Sequence, residues 1–168
     1  MEQQSQKLLA DLELGGQFSR KHTFISCWHE NEHESEAMWK LYSSYLDNAI
    51  AVRTSYDSLY RSLGCNLSIS IGRVLYIDLS KDYAGINEAF WRKRKSFAHE
   101  KEVRAIVVDL ECSDTGKIIY CDLSILIEEV FVSPSAPSWF ASLVNDVNKK
   151  YDIDVCVSTS ELIEEPFF

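Results

Sequence analysis

Glu100, Glu102 and Arg104 occupy alternate positions where the chain enters its most apolar run, 103–110. If that run is a strand, the three charges share one face and the two carboxylates lie roughly 7 Å apart. An unpartnered charge at the mouth of a buried strand is expensive, so these groups must pair with one another or with a ligand. Two readings stay open. In one, Arg104 holds a carboxylate that orients a sugar hydroxyl and stabilises a cationic transition state. In the other, Glu100, Glu102 and Arg104 form a structural bridge at a sheet end.

Upstream, Arg92-Lys-Arg-Lys95 sets four cations together in a chain of net charge −9. On a helix at most two of them could line one pocket. Lys93 and Arg94 could then hold a pyrophosphate, Arg bidentately and Lys as a point charge. The alternative is a solvated helix face that complements the dipole. A second candidate wall runs from Ser26 through Trp28 to Trp39 and Tyr42, whose rings could stack on a base or nicotinamide. Arg53 closes a strand and could reach a nucleotide, while Thr54 and Ser55 suit the cap of the following helix.

Two other chemistries fare worse. Cys27 and His29 stand two apart on one strand, a poor geometry for a nucleophile and its base, and no third group orients them. His29 and His33 with Glu30 or Glu32 could ligate a metal only from a helix, and no remote Cys/His cluster completes the set. No metal is expected. The chain also lacks a phosphate-binding P-loop, G-x-G-x-x-G, G-x-S-x-G and H-E-x-x-H, which removes the common NTPases, dinucleotide dehydrogenases, α/β-hydrolases and zinc proteases.

These groups need a scaffold, and the composition supplies one. The 168 residues are 46% hydrophobic and 26% charged, the balance of an ordinary globular chain, and the length predicts one domain over 1–168. Five scattered cysteines with no C-x-x-C pair suit reduced thiols. The acidic balance argues against broad nucleic-acid binding and against anionic membranes. No apolar run approaches the length of a bilayer span, and the start Met1-Glu-Gln-Gln-Ser lacks a signal-peptide pattern, so a cytoplasmic location is expected.

Hydrophobic spacing predicts a short helix ending at Gly15-Gly16 and a strand over 22–28. Next comes a helix capped by Asn31 and Glu34, with Met38, Leu41, Tyr42 and Tyr45 on its stripe and Leu46 at one margin. A buried strand over 49–54, a helix over 56–63 and an interrupted strand over 69–77 follow. The basic segment 87–96 reads as helix, and 102–110 as a central strand whose hairpin partner, 117–121, follows the Asp114-Thr-Gly116 turn. A strand over 129–132, a helix over 139–151 with Phe140, Leu143, Val144 and Val147 on one face, and a strand over 154–157 complete the chain. The fold class expected is α+β, with a mixed or largely antiparallel sheet flanked by helices.

In order, Phe24-Ile-Ser-Cys-Trp28, Glu34-Ser-x-x-Met-Trp39-x-x-Tyr42, Ala51-Val-Arg-Thr54, Val74-x-Tyr76, Lys93-Arg-x-x-Phe97-x-x-Glu100-x-Glu-Val-Arg104 and Val132-x-Pro134-x-Ala-Pro137 resemble the bacterial and phage family called domain of unknown function 2971. The resemblance covers roughly 24–160. Members carry a further N-terminal segment with an acidic motif; about 23 residues precede Phe24 here, so the resemblance implies a short version. The layout is also similar to compact ADP-ribosyltransferase domains. That likeness implies NAD as substrate, Glu102 on the nicotinamide-ribose hydroxyl, Arg53, Lys93 or Arg94 on the pyrophosphate, and Trp39 or Tyr42 on a ring. It implies a role in bacterial or phage conflict. The competing expectation is a non-catalytic nucleotide- or protein-binding module. A metal-dependent nuclease using Asp78, Asp82, Glu100 and Glu102 is a third.

Overall fold

Alternating apolar residues in 102–108 and 23–29 pair as neighbouring strands, and the rest of the architecture builds around such short ladders. A computed structural model describes residues 2–43, 48–82, 85–112 and 114–163. In chain order its elements are α1 (Glu2–His22), β1 (Thr23–His29), α2 (Glu36–Tyr42), β2 (Ile50–Arg53), α3 (Tyr56–Ser62), β3 (Ile69–Arg73), β4 (Leu75–Ile77), β5 (Arg92–Arg94), β6 (Glu102–Val108), α4 (Leu123–Leu126), β7 (Glu129–Val132), α5 (Ser138–Lys150) and β8 (Cys156–Thr159). Short 3-10 segments, Ile86–Trp91 and Lys95–Glu100, flank β5. The fold is α+β, with small antiparallel and mixed sheets. The chain divides into two compact units, Met1–Glu30 with Leu67–Ile119, and Asn31–Asn66 with Tyr120–Phe168.

In the first unit β6 lies between β1 and β3, antiparallel to both, with Ile106 buried at its centre. It is central in pairing, as expected. Its far end is not covered, since Val108 is exposed there. Helix α1 runs through Gly15-Gly16 instead of stopping there. Arg20, Lys21 and His22 in its last turn complement the dipole, and His22 Nδ1 bonds the Phe18 carbonyl.

The basic segment is not a helix. Arg92–Arg94 pairs in parallel with β4, Lys93 opposite Tyr76. Strand geometry sends alternate cations to opposite faces, and each finds a carboxylate: Lys93 meets Glu100, and Arg92 meets Glu88. The expected hairpin partner, 117–121, forms no strand. Asp109 holds that turn instead, pairing with Lys117 and accepting the backbone N–H groups of Glu111 and Cys112.

In the second unit the sheet order is β2-β7-β8, with Val130 and Val132 of β7 buried against Val144 of α5. Phe140 and Ala141 pack on this cluster, whereas Leu143 and Val147 turn out of it and are exposed. The expectation of a buried strand at 49–54 fails, because β2 is an edge strand exposed along its whole length. Helix α2 is capped by Ser35, whose Oγ accepts the Met38 N–H, and not by Asn31. Asn31 instead accepts the N–H of Glu32. The placements expected for Tyr45 and Leu46 lie outside the described residues. Ser55 caps α3 as expected, and Glu128 ties down that cap by accepting from the Ser55 and Ser58 hydroxyls. The final strand is shifted to Cys156–Thr159, where it runs parallel to β7.

Candidate functional site

Register decides which side chains share a face. Opposite residues of an antiparallel pair point the same way, and β1 sets Cys27 opposite Arg104 and His29 opposite Glu102. Cys27, His29, Glu102 and Arg104 therefore lie on one face of the β1-β6-β3 sheet. On β3, Gly72 stands opposite Arg104 on that face. A Cβ built on Gly72 would lie 3.1 Å from the Trp91 ring, so the missing side chain is what admits the indole there.

Four charges close on one another over this face. Arg104 donates to both oxygens of Glu102, from Nε at 3.1 Å and from its terminal nitrogen at 3.0 Å. Its other terminal nitrogen donates to the Phe90 carbonyl. Lys93 Nζ meets Glu100 and lies 3.5 Å from Glu102. The Phe97 ring lies under that ammonium, its centroid 4.8 Å away. Glu102 also donates its N–H to the Tyr76 hydroxyl at 2.8 Å. Glu100 and Glu102 are only 8% and 7% exposed. Two anions and two cations sum to zero, and each anion has a cation in contact, so burial is tolerable here where an odd charge would not be.

The titration shifts agree with that closure. Burial pushes Glu102 up, but the hydrogen bonds from Arg104 and Cys27 and the charges of Arg104 and Lys93 outweigh it, and its carboxyl is held below the usual range. Lys93 is raised in spite of burial, by Glu100 and Glu102. Cys27 has an exposed side, yet its thiol is pushed up to about 11, first by burial and then by Glu102 beside it. A thiol so placed stays protonated at neutral pH, the opposite of the lowered value an activated thiolate needs.

A pH dependence follows. Glu102 has a folded value below its unfolded one, so its contribution is complete above about pH 4.3 and is lost as pH falls through the folded value. Lys93 has a raised folded value, so its contribution is complete below about pH 10.4 and is lost above that. Urea midpoints should therefore hold level from pH 6 to 8, fall below pH 4, and fall again above about pH 8.5, where the Cys27 thiol ionises in the unfolded chain before it does in the folded one.

The residues named from sequence separate into three places. Lys93, Glu100, Glu102 and Arg104 come together. Ser26 and Trp28 belong to the other alternation set of β1 and point to the opposite face of the sheet, and Arg94 alternates away from Lys93 into solvent. Trp39, Tyr42 and Arg53 belong to the second unit. There Trp39 donates its indole N–H to Glu34, Tyr42 is 71% exposed, and Arg53 pairs with Glu129 at 2.8 Å.

The spacing did not single out Tyr76, Trp91 or Phe97; Tyr76 and Phe97 entered only as members of the family-like motifs, with no role attached, because a cross-sheet contact has no sequence period. His29 is also part of this face. Its Nδ1 donates to the Glu100 carbonyl at 2.7 Å, which leaves Nε2 buried without a hydrogen-bond partner. Among the described residues, no three His, Cys, Asp or Glu side chains gather as metal ligands, and no helix is long and apolar enough to cross a membrane. Compared with protein-family models, curated proteins and solved structures, the chain matches none.

Proposed function

We propose that this chain works by holding a protein partner and that the Lys93–Glu100–Glu102–Arg104 quartet is a structural clamp. One observation carries the reading: both oxygens of Glu102 are already bound by Arg104, in a buried group of zero net charge. A carboxylate that stabilises an oxocarbenium-like centre must be reached by the sugar and keep a charge for it, whereas Glu102 is buried and its charge is already answered by Arg104 and Lys93. Admitting a sugar here would mean opening this buried neutral group, at a cost of several kcal/mol. The surface that supports protein binding is α1, exposed at every position from Gln4 to Lys21 and carrying Leu8, Leu9, Leu12, Leu14 and Phe18. On the ordered motifs alone, the proposal takes the chain as a relative of domain of unknown function 2971.

A second reading, an ADP-ribosyltransferase-like enzyme using NAD, is favoured by one specific feature. His29, Tyr76 and Glu102 converge at one end of the sheet, and His29 Nε2 has no partner. One experiment separates the two readings. Wild type and Glu102→Gln are incubated with NAD, in buffer and in lysate, and nicotinamide and modified macromolecules are followed by mass spectrometry. The clamp predicts no nicotinamide release by either chain and a large drop in melting temperature for the variant. Release by wild type that disappears in a folded Glu102→Gln would overturn it.

A further inference from the structure

Helix α1 is long, bare and weak by its own sequence. Its 21 residues contain two adjacent glycines, each unfavourable in a helix relative to alanine, and most helical stability in proteins comes from a packed apolar face. All its side chains from Gln4 to Lys21 are exposed. At about 100° per residue, Ser5, Leu8, Leu9, Leu12, Gly15, Gly16 and Ser19 fall within about 120° of arc that holds no charged residue. Glu13 and Arg20 border one margin of this stripe, and Asp11 and His22 border the other. Leu14 and Phe18 lie on the far side.

We propose that the part of this stripe from Leu12 to Ser19 is occupied by a second copy of the chain, packed antiparallel across a twofold axis at Gly16–Gln17. The charges at the margins point to it. In an antiparallel pair each margin faces its own counterpart, and residues whose numbers sum to 33 stand opposite one another. That register sets Glu13 against Arg20 of the second copy on one flank and Asp11 against His22 on the other, each contact occurring twice. A parallel pair would set the Glu13/Arg20 margin against the Asp11/His22 margin, acid beside acid and base beside base. At the crossing point Gly15 and Gly16 carry no Cβ neighbour within 4 Å, so two backbones can approach closely there. Leu12 then drops beside Ser19 of the opposite helix. The inference rests on the reading of this chain as a protein-binding module, and it names the partner.

Sedimentation equilibrium of the full chain at low ionic strength tests it, with helicity at 222 nm followed over the same concentrations. Wild type should dimerise and gain helicity as it does so. Leu12→Asp should be monomeric at every concentration, whereas Leu14→Asp should dimerise as wild type does, with unchanged melting of the remaining fold in both. Glu13→Arg alone and Arg20→Glu alone should each weaken the dimer about tenfold, and the two together in one chain should restore it to within about threefold. That restoration belongs to an antiparallel self-pair, because the two residues are too far apart on one helix to meet. A monomer throughout, a dimer that survives Leu12→Asp, or single reversals without rescue would each overturn it. A different protein captured by a monomeric chain would overturn the self-pairing and leave the protein-binding reading standing. NAD turnover would remove that reading whatever the oligomeric state.

Discussion

Arg104→Met should lower the free energy of unfolding by about 3–5 kcal/mol, the largest effect expected from one substitution in this chain. The variant leaves Glu100 and Glu102 buried with Lys93 as the one remaining cation, so the cluster carries an uncompensated negative charge. It also strips the Phe90 carbonyl of a donor. The size of the loss reflects the stranded partner and not the net worth of the ion pair. Glu102→Leu combined with Arg104→Met should therefore cost less than either alone, because Lys93 and Glu100 then remain as a neutral pair. Urea denaturation of the two single variants and the double variant gives this cycle directly. Additive losses would mean that the two side chains do not act as a unit.

Gly72→Leu should cost about 1–3 kcal/mol through overpacking alone. Its Cβ would fall 3.1 Å from the Trp91 ring, tighter than ordinary contact, and the remaining leucine atoms would lie closer still. Trp91 would have to move away from the sheet. Phe90 precedes it in the same 3-10 segment, so the carbonyl that accepts from Arg104 would move as well. The loss of stability should thus be accompanied by red-shifted tryptophan emission from the folded variant. Gly116, with nothing within 4 Å of its Cβ position, is the control, and Gly116→Ala should change stability by less than about 0.5 kcal/mol.

Much of the scaffold was legible because its signals are local. The alternation of 23–29 and 102–108 gave β1 and β6, and Ser55 before an amphipathic turn gave α3 and its cap. The Ser-Pro corner after 129–132 bounded β7. Mistakes arose where a long-range partner overrode local preference. Four consecutive cations read as a helix terminus, but 92–94 pair in parallel with β4, and Lys93 meets Glu100 from β5. Ile50 and Val52 read as buried because they are β-branched and apolar. Their strand is at a sheet edge, and edge position is a property of the whole topology.

The candidate site shows the same division. That Glu102 and Arg104 meet was readable from their alternation on one strand. The approach of Lys93 from β5 and of Tyr76 from β4 was not, since both depend on a parallel pairing between distant segments. Ser26 and Trp28 read as part of a second candidate wall, with no side of the sheet assigned. Their one-residue offset from Cys27 turns them to the opposite face, a parity that only the register with β6 reveals.

The central claim is that Glu102 is a closed structural carboxylate. It is tested most directly by following the side-chain carboxyl carbon of Glu102 by NMR through a pH titration, with and without NAD. The account predicts a single midpoint below the ordinary glutamate value of about 4.3, unmoved by the nucleotide. A midpoint at or above that value, or one displaced when NAD is added, would contradict it.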